Sequence, residues 1–145
     1  MFFNESFTKT ISNDKKKWYI LDANNYILGR LASKISIILQ GKHKSNYKNN
    51  IDNGDYIIVI NSSKIIFSGN KLNKKKYYRH SGYIGNLKTY ILKDLFLKNS
   101  NLVLINAVKN MLPRNKLKKI FINKLKVYKY SNHNHISQNP TIIKI

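Results

Sequence analysis

The chain holds 145 residues, and its 27 Lys+Arg against 6 Asp+Glu give a formal net charge of +21. That length fits one domain, and 42% hydrophobic with 12% aromatic residues places it above the composition that keeps a chain disordered. There is no cysteine, which excludes a disulfide framework, a thiolate metal site and a cysteine nucleophile, and no apolar run approaches the roughly 18 residues that would cross a bilayer.

A folded monomer of this size exposes roughly 7,700 Å², or one uncancelled positive charge per about 370 Å². Such a field repels itself and calls for a polyanionic partner. Lys, Asn and Ile dominate, as an A/T-rich genome would favour, but Asp and Glu codons can be equally A/T-rich. The shortage of acids is therefore a statement about partners.

Residues 1–17 contain Glu5 and Asp14 and lack both Arg and a continuous apolar segment. They read as a short N-terminal arm rather than a signal or transit peptide, leaving residues 18–145 as a single domain. Trp18 to Asp22 is an aromatic and β-branched run ended by the turn-prone Asn24-Asn25, a strand. Leu28, Leu31, Ala32, Ile35, Ile38 and Leu39 then recur at helical spacing with Arg30 and Lys34 opposite, and Gly41 is a natural C-terminal stop. From Gly41 to Asn53 the chain is polar and basic without apolar period, a loop carrying Lys42, His43, Lys44 and Lys48. Tyr56 to Ile60 is continuously apolar, as suits a strand buried on both faces of a parallel sheet. Strand, helix and strand compose a right-handed β-α-β unit.

Ser62 to Lys64 predicts a helical turn, Ile65 to Phe67 a short strand, and Ser68 to Lys71 a turn. Lys74 to Lys88 is the densest mixture of basic and aromatic residues and reads as a second basic loop, in which a basic aromatic strand precedes Gly82. Helices are predicted over Thr89 to Leu97 and Leu102 to Leu112, with Pro113 ending the latter. Another is predicted over Lys116 to Leu125, with Lys124 or Leu125 on its apolar face and Lys118 and Lys119 outward. A strand over Lys126 to Tyr130 precedes a polar tail, residues 131–145, that contains His133, His135 and Pro140.

Enzyme signatures are missing. Asp52 and Asp55 flank Gly54 and read as turn residues rather than a catalytic carboxylate pair. No nucleophile elbow, phosphate loop or dinucleotide fingerprint occurs. His133 and His135 resemble half of a metal site but lack a second ligand pair, so no metal, cofactor or small-molecule substrate is expected; a nuclease using these histidines and an acid is the rival enzymatic reading. His43 and His80 sit among Lys and Arg, where an imidazole can donate to a phosphate or stack on a base. Gly82-x-x-Gly85 resembles the backbone-clamping loop of a KH module, a second rival; independent of family, two glycines let main-chain N–H groups approach a phosphate. The charge runs at Lys15 to Lys17 and Lys74 to Lys76 cannot be an ordinary mixed-sign surface, because too few acids exist to alternate with them. With only Arg30, Arg79 and Arg114 as arginines, bidentate base readout is rare, and shape and backbone recognition of RNA is favoured.

In sequence order, the chain carries Trp18-Tyr19-x-x-Asp22-Ala23, Leu28-Gly29-Arg30-Leu31-Ala32-Ser33, Gly41-Lys42-His43-Lys44, Asp52-x-Gly54-Asp55-Tyr56-x-x-Val59-Ile60-Asn61 and Gly69-Asn70-Lys71. There follow Tyr77-Tyr78-x-His80-Ser81-Gly82-x-x-Gly85, Ala107-Val108-Lys109-x-Met111-Leu112-Pro113, Lys124-Leu125-Lys126-Val127-Tyr128, His133-x-His135 and Gln138-x-Pro140. This ordered series resembles the bacterial-type L-thirteen family of large-subunit ribosomal proteins over nearly the whole chain. Asn110 and Asn86 stand where that family usually has Gly, its Thr-Pro-His before Asp52 is missing, and Tyr128-Lys129-Tyr130 replaces a small turn.

The resemblance implies an α/β fold: a three-layer α/β/α sandwich around a mainly parallel four-stranded sheet, with basic loops and a C-terminal extension. It further implies a structural, non-enzymatic role in the large ribosomal subunit, binding large-subunit rRNA beside neighbouring ribosomal proteins and acting early in assembly. The expected location is the ribosome in the cytoplasm of an AT-rich bacterium, or in an organelle with its own translation. Family-like RNA contacts fall on Lys42, His43, Lys44, Lys71, His80, Gly82, Gly85, Lys109, Arg114, His133 and His135. The local concentration of charge adds Lys48, Lys74, Lys75, Lys76, Arg79, Lys88, Lys116, Lys118 and Lys119.

Overall fold

The computed structural model describes residues 16–143, so the predicted arm lies outside the described residues except for Lys16 and Lys17. Strand β1 (Trp18–Asp22) leads into helix α1 (Leu28–Gln40), which buries Leu28, Leu31, Ala32, Ile35 and Leu39 at the helical repeat. Gly41 ends it at φ +79°. The N–H groups of Gly41 and Lys42 return to Ile38 and Ile37 at 3.0 Å each, the paired bonds of a Schellman stop. Strand β2 (Tyr56–Ile60) follows the basic loop, then a 3₁₀ turn (Ser62–Lys64) and a one-turn helix α2 (Lys71–Lys74). Next come strands β3 (Lys76–His80) and β4 (Leu87–Ile91), helices α3 (Leu92–Lys98), α4 (Ser100–Met111) and α5 (Leu117–Asn123), and strands β5 (Leu125–Val127) and β6 (Thr141–Ile142).

The main sheet has the order β5-β2-β1-β6, every pair parallel. Registers run Trp18 to Tyr56, Ile57 to Leu125 and Tyr19 to Thr141. Because β2 is central, Ile57, Ile58 and Val59 are all buried. Ile57 and Val59 join the main core with Leu21, Leu31, Ile35, Leu39, Val103, Leu104 and Val108, while alternation sends Ile58 to the opposite face. The architecture is α/β, consistent with the three-layer arrangement. No helix among the described residues is long and apolar enough to cross a membrane.

Several local expectations are corrected. Ile65 to Phe67 is not a named strand; Ile66 makes a single parallel bridge to Ile27. The fourth strand is instead β6, in the tail read as merely polar: Ile143 donates to Ile20 O at 2.9 Å and Thr141 Oγ1 to Trp18 O at 3.2 Å. Those bonds are main-chain or single-hydroxyl contacts with little hydrophobic signature. The predicted helix from Thr89 starts at Leu92, because Thr89 to Ile91 are used by β4, and the strand predicted over Lys126 to Tyr130 is instead the shorter Leu125–Val127, beginning one residue earlier. The third predicted helix ends at Asn123, short of Leu125: Lys124 caps it and Leu125 opens β5, and both are buried there rather than on a helical face.

Candidate nucleic-acid interface

The first basic loop hangs at the C-terminal end of α1, beside the amino ends of the parallel strands. Two backbone approaches pin it there. A Cβ on Gly54 would lie 1.7 Å from the Leu39 carbonyl oxygen, and one on Gly41 would lie 2.9 Å from the Asn53 carbonyl; only glycine allows the strand entry to pass so close to the helix end. Asp55, 0% exposed, then gathers the loop. It accepts from Lys44 Nζ at 2.7 Å and the Lys17 N–H at 2.9 Å, and pairs with His43 Nε2 at 3.0 Å. Asp52 contacts Lys124 Nζ and takes Lys16 Nζ at 2.8 Å, while Lys124 also donates to Gly54 O at 2.9 Å. These acids are more than turn residues: they neutralise the inward side of a basic loop. His43 and Lys44 thus turn to Asp55, while Lys42 and Lys48 stay exposed.

Charge and burial compete in this cluster. Burial alone would raise the Asp52 carboxyl, but the ammonium groups of Lys124 and Lys16 outweigh it and hold the group below its ordinary value. For Lys124 burial is the larger effect, so its ammonium is pulled down despite Asp52. On more open Lys16, burial is overcome by Asp52 and the group is raised. Neither Asp55 nor Lys124 was expected as an organising residue. The only sequence signal was Lys124 at an apolar helical position, a site where a lysine must find an acid.

The second basic region is not a loop but an antiparallel hairpin, β3 with β4. Its root is held: Tyr77 packs against the core, Leu92 is buried, and the Leu92 N–H reaches Lys75 O at 2.9 Å. Beyond the root, every residue from Tyr78 to Ile91 is exposed. Register places Arg79 directly opposite Lys88, a like-charge cross-strand pair that costs stability in water. No acid occurs from Lys71 to Ile91, and none of these cations makes an ion pair among the described residues. His80 Nδ1 accepts from the Gly82 N–H at 3.0 Å, which leaves Nε2 as the ring's donor. That bond also occupies the Gly82 N–H, which is therefore not an open main-chain donor at the tip.

Lys71, Lys74 and Lys75 converge with Arg30 around an open groove of ≈ 1060 Å³, floored by Phe67, Leu92 and Met111. Arg30 was read only as the outer face of α1; folding brings it to the α2 lysines. Lys71 Nζ is tethered to Ser68 Oγ at 2.9 Å. Lys109 lies in the last turn of α4, and Arg114, Lys116 and Lys119 are exposed beyond it, with Lys118 half-buried. His133 and His135 are half-buried in a ring cluster: His135 lies 5.2 Å from Trp18 and 6.1 Å from Tyr128, and Trp18 stacks on Tyr56 at 4.3 Å. Their rings fasten the tail to the strand ends. Among the described residues no group of three His, Cys, Asp or Glu is placed to hold a metal ion.

A family model described as ribosomal protein L13 matches residues 16–134, from the anchoring Lys16 to the ring cluster. The chain belongs to the ribosomal protein L13 family. It is 48% identical over 141 residues to the large ribosomal subunit protein uL13 of Baumannia cicadellinicola, covering 97% of this chain and 99% of that protein. The protein of that name from Buchnera aphidicola subsp. Cinara cedri is equally similar with the same coverage. That of Nitratidesulfovibrio vulgaris (strain Miyazaki F) is 45% identical over 97% of this chain and 98% of the relative. Two of the departures from the L13 pattern fit the geometry: Asn110 is exposed within α4, and Asn86 closes the hairpin turn by donating to Ser81 Oγ at 2.8 Å.

Proposed function

We infer that this chain is a structural constituent of the large ribosomal subunit that binds large-subunit rRNA, chiefly through phosphates and shape, and assists early assembly. The observation that carries the reading is the β3–β4 hairpin: an exposed ribbon with Arg79 facing Lys88, no acid in its own sequence, and no ion pair to either cation among the described residues. Two opposed cations are costly in solvent and favourable between phosphates. The names of the L13 relatives support the subunit assignment.

In this reading Lys76, Arg79, His80, Lys88 and Gly85 form one contact region, with Gly82 shaping its turn. Arg30, Lys71, Lys74 and Lys75 form a second around the groove, and Lys109, Arg114, Lys116, Lys118 and Lys119 continue it along α4 and α5. Lys42 and Lys48 offer charge from the first loop, whose frame His43 and Lys44 hold in place. His133 and His135 keep the tail docked beside it. No residue is given a catalytic role, and neighbouring large-subunit proteins are the expected protein partners.

Filter binding of the full chain to large-subunit rRNA over a salt series tests the reading. Affinity should fall steeply and linearly on logarithmic axes; a flat response would sink it. The protein should also sediment with large subunits at low salt, and reconstitution without it should stall at an early particle.

A further inference from the structure

The hairpin tip carries two side chains that phosphate binding leaves unused. Tyr83 is 79% exposed and Ile84 105% exposed, so their apolar surface is left in water at a cost in free energy. The tip is nonetheless built. The Tyr83 N–H reaches Ser81 Oγ at 3.4 Å, the Asn86 N–H reaches Tyr83 O at 3.2 Å, and Gly82 and Gly85 take φ of +100° and +76°. With the Gly82 N–H donating to His80 Nδ1 and the Asn86 amide donating to Ser81 Oγ, the turn is closed without any help from the core. Tyr83 and Ile84 are therefore held outward by a framed loop.

The surroundings decide what covers them. Arg79, His80 and Lys88 flank the tip, and no acid lies between Lys71 and Ile91. An apolar pocket on a protein would have to accept these cations as its rim. Unpaired nucleotides supply both needs at once: a base face for the ring and phosphates for the charges. A fully paired RNA helix hides its base faces, so the fit is to a bulge, junction or loop.

We propose that Tyr83 and Ile84 form a base-stacking wedge that seats on unpaired nucleotides of the folded rRNA, with Arg79, His80 and Lys88 on the flanking phosphates. This rests on the rRNA reading above. The ring supplies stacking area, the branched aliphatic chain fills the adjoining step, and the cations set the register.

Tyr83→Ala, Tyr83→Leu, Tyr83→Phe and Ile84→Ala, made in the full chain, are compared for binding to protein-free large-subunit rRNA, with thermal unfolding as a folding control. Tyr83→Ala should weaken binding about five- to a hundredfold, the range for losing one stacked base. Its salt slope should stay that of the parent protein, and Phe should restore affinity where Leu does not. Ile84→Ala should lose a smaller part, and chemical probing should show an unpaired base that Tyr83 protects and Ala exposes. Parent-like binding by Tyr83→Ala or Tyr83→Leu would overturn the wedge. So would a loss seen only when other ribosomal proteins are present, which would assign the tip to a protein neighbour. Failure of the parent protein itself to bind rRNA would overturn the underlying reading, and is a different result from a silent Tyr83 with salt-dependent binding intact.

Discussion

The loop from Gly41 to Asp55 and the hairpin from Lys76 to Ile91 are both strongly basic, yet they solve the problem of charge in opposite ways. In the loop, Asp55 and Asp52 take up His43, Lys44, Lys16 and Lys124, and Gly54 seats the backbone on the end of α1. The hairpin has no acid; it is anchored through Tyr77 and Leu92 and otherwise left open with Arg79 against Lys88. The difference separates cations that the fold pairs with acids from cations that it leaves without an ion pair among the described residues. Counting charges along the chain cannot make this distinction, because a lysine bound to a buried carboxylate contributes to the same sum as one in solvent.

Removing the loop's anchor should have the largest effect. Asp55→Ala leaves Lys44 and His43 facing an empty, desolvated position and should cost about 3–5 kcal/mol, read by urea unfolding. Gly54→Ala forces a Cβ against the Leu39 carbonyl and should cost about 1–3 kcal/mol, with the damage centred on residues 41–55 by hydrogen exchange. On the hairpin the expected result reverses. Arg79→Gln and Lys88→Gln should leave stability within about 0.5 kcal/mol, while each lowers the salt slope of rRNA binding by about one. If Arg79→Gln unfolded the protein, or Asp55→Ala changed only RNA affinity, the contrast would be wrong.

Acid gives the mildest test. The Asp52 carboxyl is held below its ordinary 3.8 by Lys124 and Lys16, so it binds fewer protons folded than unfolded near that pH. Its contribution is present above the unfolded value and is lost as pH falls through the depressed folded one. Urea midpoints taken from about pH 6 down to about pH 2 should therefore fall more steeply in the parent protein than in Asp52→Asn. The hairpin, lacking carboxylates, should add nothing to that difference.

Much of the fold was legible because it rests on periodicity. The apolar repeat of α1, the unbroken run of β2 and the stop at Gly41 each require only local sequence, and each lies where the pattern placed it. The strand before Gly82 was legible, but β4 and its pairing were missed because, Tyr77 apart, Lys76 to Ile91 has no buried face to impose alternation; the pairing comes from closure at Ser81 to Asn86 and anchoring at the root. β6 was missed for a related reason: two exposed residues joined to β1 through the main chain leave almost no trace in side-chain pattern. At the candidate interface, the basic segments were visible as composition, but their division into locked and open cations was not.

By itself, the amino-acid sequence determined that a basic α/β fold forms around a parallel β-α-β unit, since hydrophobic spacing and excess charge are properties of the chain read locally. Tertiary structure alone decided that Asp55 faces His43 and Lys44, that Arg30 lines one groove with the α2 lysines, and that Arg79 is set against Lys88. Those are encounters between residues distant in sequence or fixed by strand register, and electrostatic energy depends on separation and burial, which exist only once the chain has folded.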